Sequence, residues 1–145
     1  MLEYKNTMNT RELKKVAKHK YGRIKSNGVD FKPHEYKTVL HLVEYGFDIE
    51  FIRPSNVPRS KNPDIEMLGT TWEMKGPEKF NEQTITARFR KAVKQADGKA
   101  IFDLRAIKTN RNEAKKHLLS LFKTTRKMRH IIIIESDEKT IDITK

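Results

Sequence analysis

Four isoleucines stand in a row at positions 131–134. β-Branched residues favour extended backbone, and successive side chains of a strand leave on opposite faces. A run that is apolar at every position therefore reads as a strand covered on both sides. Other segments supply neighbours for it. Phe47, Ile49 and Phe51 alternate with Asp48 and Glu50, as one apolar face of a strand requires. Residues 100–104 form an apolar strand, and 140–143 a short final one after a turn at 136–139. Helical spacing appears between these runs. Pro33 opens a helix at its first position, with Tyr36, Val39, Leu40 and Val43 on one side, and Gly46 stops it. Residues 80–97 make another helix, with Ile85, Phe89, Ala92, Val93 and Ala96 inward and Gly98 at its end. Asn110 or Asn112 starts a third, with Ala114, Leu118, Leu121 and Phe122 inward. Ahead of these, Asn9 or Thr10 is placed to cap a helix reaching about Lys20. Its stripe is Leu13, Val16, Ala17 and Tyr21, its outer face Arg11, Lys14, Lys15, Lys18 and Lys20, and Gly22 ends it.

The 145 residues show no repeat or low-complexity linker. One globular domain is expected, with residues 1–30 as a basic N-terminal helix and loop and residues 31–145 as the main body. Lysine and arginine number 31 against 19 aspartates and glutamates, a formal charge of +12. An excess of that size favours a polyanionic partner, nucleic acid first and a membrane surface second. No apolar run is long enough to span a membrane, and no signal-peptide pattern is present. The absence of cysteine excludes disulfides, thiolate zinc sites and cysteine nucleophiles.

Residues 62–77 carry the chemistry. Ile65, Met67, Trp72 and Met74 supply the apolar positions of a β-hairpin around Leu68-Gly69-Thr70, with Pro63 and Gly76-Pro77 at its ends. Alternation puts Glu73 and Lys75 on one face and Trp72 and Met74 on the other. Asp64, at the start of the partner strand, can lie beside Glu73. Two carboxylates and an ammonium then converge, and clustered hard oxygen ligands suit Mg²⁺ or Mn²⁺. Cations flank this point. Arg53, Arg59 and Lys61 lie in the proline-containing loop directly before Asp64, and Arg88, Lys91 and Gln95 run along one flank of the following helix with Lys94 nearby.

Pro63-Asp64, a short hairpin, then Glu73-Met74-Lys75 resembles the PD-(D/E)XK nuclease superfamily. The order helix, three strands, helix, strand matches that superfamily's core, a mixed sheet flanked by helices. From about Phe31 to Ile143 the chain also looks like the C-terminal tRNase toxin domains of CdiA-type contact-dependent inhibition proteins. The helix from His34-Glu35 to Tyr45-Gly46, the hairpin, the stretch 91–97 leading into Ile101-Phe102-Asp103-Leu104, and the last two strands carry that likeness. The expected fold is thus α/β, a PD-(D/E)XK-like mixed sheet with an extra N-terminal helix.

The resemblance implies a metal-dependent endonuclease, a toxin-type tRNase acting in the cytoplasm of a target cell after delivery. Asp64 and Glu73 would ligate Mg²⁺ or Mn²⁺, with the Met74 carbonyl. Glu35 would bind it directly or through water, with Glu44 as the more exposed alternative. Lys75 would position the attacking water or stabilise the transition state, and Gln95 would orient the nucleophile. Glu66 shares a strand face with Asp64. Arg53, Arg59, Lys61, Arg88, Lys91 and Lys94 would hold the phosphate backbone, with tRNA favoured over DNA. A toxin of this kind also implies an immunity protein, expected to be acidic and seated over the cleft. Three alternatives stand beside this one: a DNA endonuclease of a mobile element or repair pathway, a basic nucleic-acid-binding module without chemistry, and a metal-free ribonuclease using some of His19, His34, His41, His117 and His130.

Overall fold

The isoleucine run is the interior strand β7 (His130–Ile134) of an eight-stranded mixed sheet. In this computed structural model, which describes residues 8–58 and 61–145, the elements follow as β1 (Asn9–Glu12), β2 (Ile24–Lys25), α1 (Pro33–Val43), β3 (Ile49–Phe51), β4 (Ile65–Met67), β5 (Thr70–Lys75), α2 (Glu82–Gln95), β6 (Lys99–Asp103), α3 (Arg111–Thr124), β7 and β8 (Thr140–Thr144). The strand order is β1-β8-β7-β6-β5-β4-β3-β2. Strands β5, β6 and β7 run parallel, connected by α2 and α3, and antiparallel strands flank them on both sides.

Both faces of β7 are covered, as its composition requires. Ile131 and Ile133 pack with Phe89, Phe102, Leu118 and Phe122 under α2 and α3. Ile132 and Ile134 pack with Val39, Leu42 and Trp72 under α1. Each side chain of the run is fully buried, which stabilises the fold by roughly 2 kcal/mol apiece before entropy is counted.

The N-terminal helix is absent. Residues 9–12 are extended and pair with β8, where Arg11 meets Asp142 at 3.2 Å. The following amides are taken up by tertiary partners: Leu13 donates to the Thr140 carbonyl and Val16 to that of Glu44. Only a single 3₁₀ turn forms, Lys18–Lys20. A helix of about a dozen residues is marginal in isolation, whereas pairing covers the otherwise bare edge of β8. The loop expected within residues 1–30 after the helix contains β2, which joins β3 in parallel.

Helix α1 keeps its expected ends but is rotated about its axis. Thr38, Val39, His41, Leu42 and Val43 are buried, while Tyr36 and Leu40 are 38% and 42% exposed. Two polar residues displace two apolar ones because each meets a partner in the sheet. Thr38 donates to Asp103 at 2.7 Å, and His41 bonds the Thr140 hydroxyl at 2.7 Å.

Candidate active site

The β4–β5 hairpin turns on Leu68 and Gly69, whose φ angles are 55° and 74°. Two consecutive left-handed residues match the twist of the flanking strands, and the Trp72 indole closes the hairpin by donating to the Met67 carbonyl at 2.9 Å. Ile65, Met67, Trp72 and Met74 enter the core beneath α1. Glu73 and Lys75 therefore leave on the α2 side, in register with Ala100 and Phe102 of β6. Asp64 precedes β4, and its amide donates to the Trp72 carbonyl at 3.1 Å. Its Oδ2 accepts the Met74 N–H at 2.8 Å, which fixes the carboxylate at the Glu73–Met74 peptide.

Glu73 is 5% exposed. Its Oε1 lies 3.3 Å from the Lys75 ammonium, while its Oε2 is buried and receives no N–H or hydroxyl donor, so the carboxyl's other polar neighbour is the Asp64 carboxyl. Burial, and then the hydrogen bond and negative charge of Asp64, push the Glu73 carboxyl up to about 8, against the opposing pull of Lys75. At neutral pH and with nothing bound, the pair retains a proton. A buried carboxylate oxygen lacking a donor, beside a second carboxylate, suits a hard divalent cation. Among the described residues no three His, Cys, Asp or Glu side chains converge on one point, so the chain offers a pair of carboxylates there.

Glu35 does not join this pair. It is half-buried in the first turn of α1, where its Oε1 accepts the Lys32 amide at 3.2 Å as half of a capping box. That helix covers the opposite face of the sheet from Glu73. Glu44 lies at the other end of α1, 3.3 Å from Lys15. Glu66 is exposed and faces Glu50 across the β3–β4 ladder, a like-charge pairing that costs stability.

Gln95 ends α2 close to the hairpin, but its Oε1 accepts the Asn62 amide at 2.9 Å. It anchors the segment that delivers Asp64. A second tie joins Lys61 to Asp97 at 2.6 Å, with both side chains exposed. Arg53 stands over the turn at Asn27-Gly28, donating to the Asn27 carbonyl at 2.7 Å. Arg59 lies outside the described residues. Arg88 is half-buried on α2 and Lys91 and Lys94 are exposed there, and among the described residues none of the three is paired with a carboxylate.

The histidines are dispersed. His19 is exposed in the 3₁₀ turn, His34 lies against Gly76, His117 bonds Thr86 and His130 bonds Asp142. Burial, with the Arg105 charge second, lowers His41 to about 4, so the buried ring is neutral.

One cluster escaped the sequence reading. Arg105 grips Asp103 through Nε at 2.9 Å and Nη2 at 2.8 Å, and reaches Asp137 and the Lys37 carbonyl. Burial alone would raise Asp103, but the bonds from Arg105 and Thr38 outweigh it and hold the carboxyl below its ordinary value. The available signals were the short spacing of Asp103 and Arg105 and a histidine on the inward side of α1.

The eight-stranded mixed sheet flanked by helices is the fold that comparisons with known proteins also return. Residues 61–140, more than half of the chain, match the model of the contact-dependent growth inhibition CdiA C-terminal domain, and the chain belongs to that family. Domains of this family are delivered toxins, commonly nucleases. Among solved structures, the chain is similar to one described as a CdiA-CT/CdiI toxin and immunity complex from Burkholderia pseudomallei, at 17% identity and a TM-score of 0.62, covering 83% of this chain and 98% of that one. At that identity the likeness establishes the fold. No curated protein matches. No helix among the described residues is long and apolar enough to cross a membrane.

Proposed function

We propose that this domain is a metal-dependent ribonuclease toxin of the PD-(D/E)XK type, with tRNA as its substrate. The observation that carries this reading is Glu73: a buried carboxylate with one oxygen unpartnered, Asp64 beside it and the Lys75 ammonium 3.3 Å away. Asp64 and Glu73 are the residues that would hold Mg²⁺ or Mn²⁺. When bound, such an ion acidifies water and neutralises charge on a phosphodiester.

The chain's own groups have distinct tasks. Asp64 is locked by the Met74 amide, so its second oxygen is left for binding. Glu73 must lose its proton for the pair to bind a cation. Lys75 compensates part of the charge that appears on Glu73, and its remaining donors can hold a phosphate oxygen or the attacking water. Gln95 positions Asp64 through Asn62. The cations Arg88, Lys91 and Lys94 on α2 supply phosphate contacts.

A toxin aimed at cellular RNA endangers its producer, so we also propose a cognate immunity protein. A basic rim favours an acidic inhibitor surface, with fitted contacts providing selectivity.

Incubation of the purified protein with tRNA or plasmid DNA, with Mg²⁺ or with EDTA, tests the reading. The expected result is tRNA cleavage that EDTA abolishes. Cleavage that ignores EDTA would refute metal dependence. Plasmid nicking with tRNA left intact would move the substrate to DNA.

A further inference from the structure

We infer that a second basic surface, at the pole where α2 meets β6 and α3 meets β7, carries the backbone of a folded RNA away from the catalytic cleft. This deepens the ribonuclease reading and rests on it for the identity of the substrate. Three segments remote in sequence are brought together there. Gly98, at φ 84°, ends the turn after α2, and a Cβ at this position would lie 2.0 Å from the Lys127 carbonyl oxygen. The Gly98 carbonyl in turn accepts the Arg129 amide at 2.8 Å, and the Lys145 amide donates to the Arg129 carbonyl at 3.2 Å. The backbone is thus fastened so that Lys94, Lys99, Arg126, Lys127, Arg129 and Lys145 share one end of the molecule.

This clustering carries a cost. Arg126, Lys127 and Arg129 are exposed and have no carboxylate partner among the described residues, and the acid in the adjoining turn, Asp97, is engaged by Lys61. Lys145 Nζ donates to the Thr125 carbonyl at 2.6 Å, and burial, then the Arg129 charge, lower its ammonium. Several basic residues elsewhere are neutralised, Arg11, Lys15, Lys25, Arg105 and Lys115 each meeting a carboxylate. An uncompensated group held by a tight turn is suited to a polyanion that supplies the missing charge.

The surface is continuous with the site. From Arg88 to Lys94 helix α2 advances about 9 Å, and the Gln95–Asn62 and Lys61–Asp97 ties join its end to the segment leading into Asp64. A strip of this length passes several phosphates. It would serve a structured RNA and leave a short oligonucleotide, which fills only the cleft, unaffected.

The test is the triple variant Arg126→Gln/Lys127→Gln/Arg129→Gln, set against Lys14→Gln/Lys18→Gln/Lys20→Gln, which removes equal charge from the N-terminal segment. Binding to a tRNA transcript is followed across a salt series in EDTA, so the readout needs no cleavage. The polar variant should flatten the log Kd against log salt slope by about two. It should also raise KM for tRNA roughly tenfold with kcat unchanged, and leave cleavage of a short single strand as it was. The N-terminal variant should leave the slope near that of the parent. Equal losses in both variants would mean that affinity follows net charge alone, and would overturn the proposal. So would an unchanged slope in the polar variant. A parent that binds in this way but cuts nothing would keep the surface and defeat the nuclease reading. A DNA duplex run in parallel shows whether the strip follows any phosphate backbone or prefers the A-form, and either result keeps the surface.

Discussion

Asp103–Arg105 and Glu73–Lys75 are built from the same parts on opposite sides of one sheet, and they do opposite things. Each joins a buried carboxylate on one of two neighbouring parallel strands to a cation two residues later. Asp103 has every need met: a bidentate guanidinium, the Thr38 hydroxyl and the Arg105 amide. Its carboxyl is held low. Glu73 has a single ammonium at 3.3 Å, an unpartnered oxygen and a second carboxylate beside it. Its carboxyl is driven up to about 8. A satisfied pair holds structure together, whereas a frustrated one is held in place by the rest of the fold and stays ready for a ligand.

The largest expected effect separates the two pairs by activity. Alanine at Asp64, Glu73 or Lys75 should each lower tRNA cleavage by at least ~10²-fold with the fold retained, since the three act together on one transition state. Full cleavage by a folded variant of any of them would remove that residue from the site. Alanine at Asp103 should leave cleavage per folded molecule near the parent value.

Stability should show the reverse. Arg105→Ala leaves Asp103 buried without its main partner and should cost about 3 kcal/mol in denaturant unfolding. Lys75→Ala should cost far less, because Glu73 can keep its proton. Similar losses for the two would erase the distinction drawn between the pairs.

A third contrast uses pH. The folded Glu73 is raised from 4.5 to about 8. Its contribution to stability is therefore full below 4.5 and is lost as pH rises through about 8. Glu73→Gln should remove this decline and be more stable by about 1–3 kcal/mol at the alkaline end. Added Mg²⁺ should offset the same loss in the parent, measured as thermal midpoints across the window, and leave the glutamine variant less affected.

The smallest effect is expected on the satisfied side. The folded His41 is lowered from 6.5 to about 4. Its stabilisation is present above 6.5 and is lost as pH falls toward 4, because the unfolded chain takes up the proton first. His41→Gln should lose that acid-side slope, and an identical slope in the variant would place the titration elsewhere.

Much of this was legible in the residues. Periodicity placed α1, α2, α3 and strands β3 to β8 near their observed bounds, because a repeat of two or of 3.6 is a local property. Alternation in the hairpin put Glu73 and Lys75 on one face and Asp64 at its partner's start. The failures share a cause. The segment 9–20 has a helical pattern and becomes a strand because β8 needs an edge partner. Glu35 and Gln95 have the right chemistry near the right elements, yet one caps its own helix and the other holds Asn62. In each case a backbone group took the side chain or the segment: β8 and the Asn62 amide from far away in sequence, the Lys32 amide from the cap of the same helix.

Composition and order thus determined on their own a basic domain with a doubly covered strand, helices between strands, and a hairpin bearing Asp64, Glu73 and Lys75. Only the tertiary structure decided that Glu73 is the strained carboxylate and Asp103 the satisfied one, and that Lys94, Arg126, Lys127 and Arg129 gather at one pole. The physical reason is that a side chain's facing direction follows from its neighbours in sequence, whereas burial, hydrogen-bond satisfaction and charge compensation depend on what the fold packs against it.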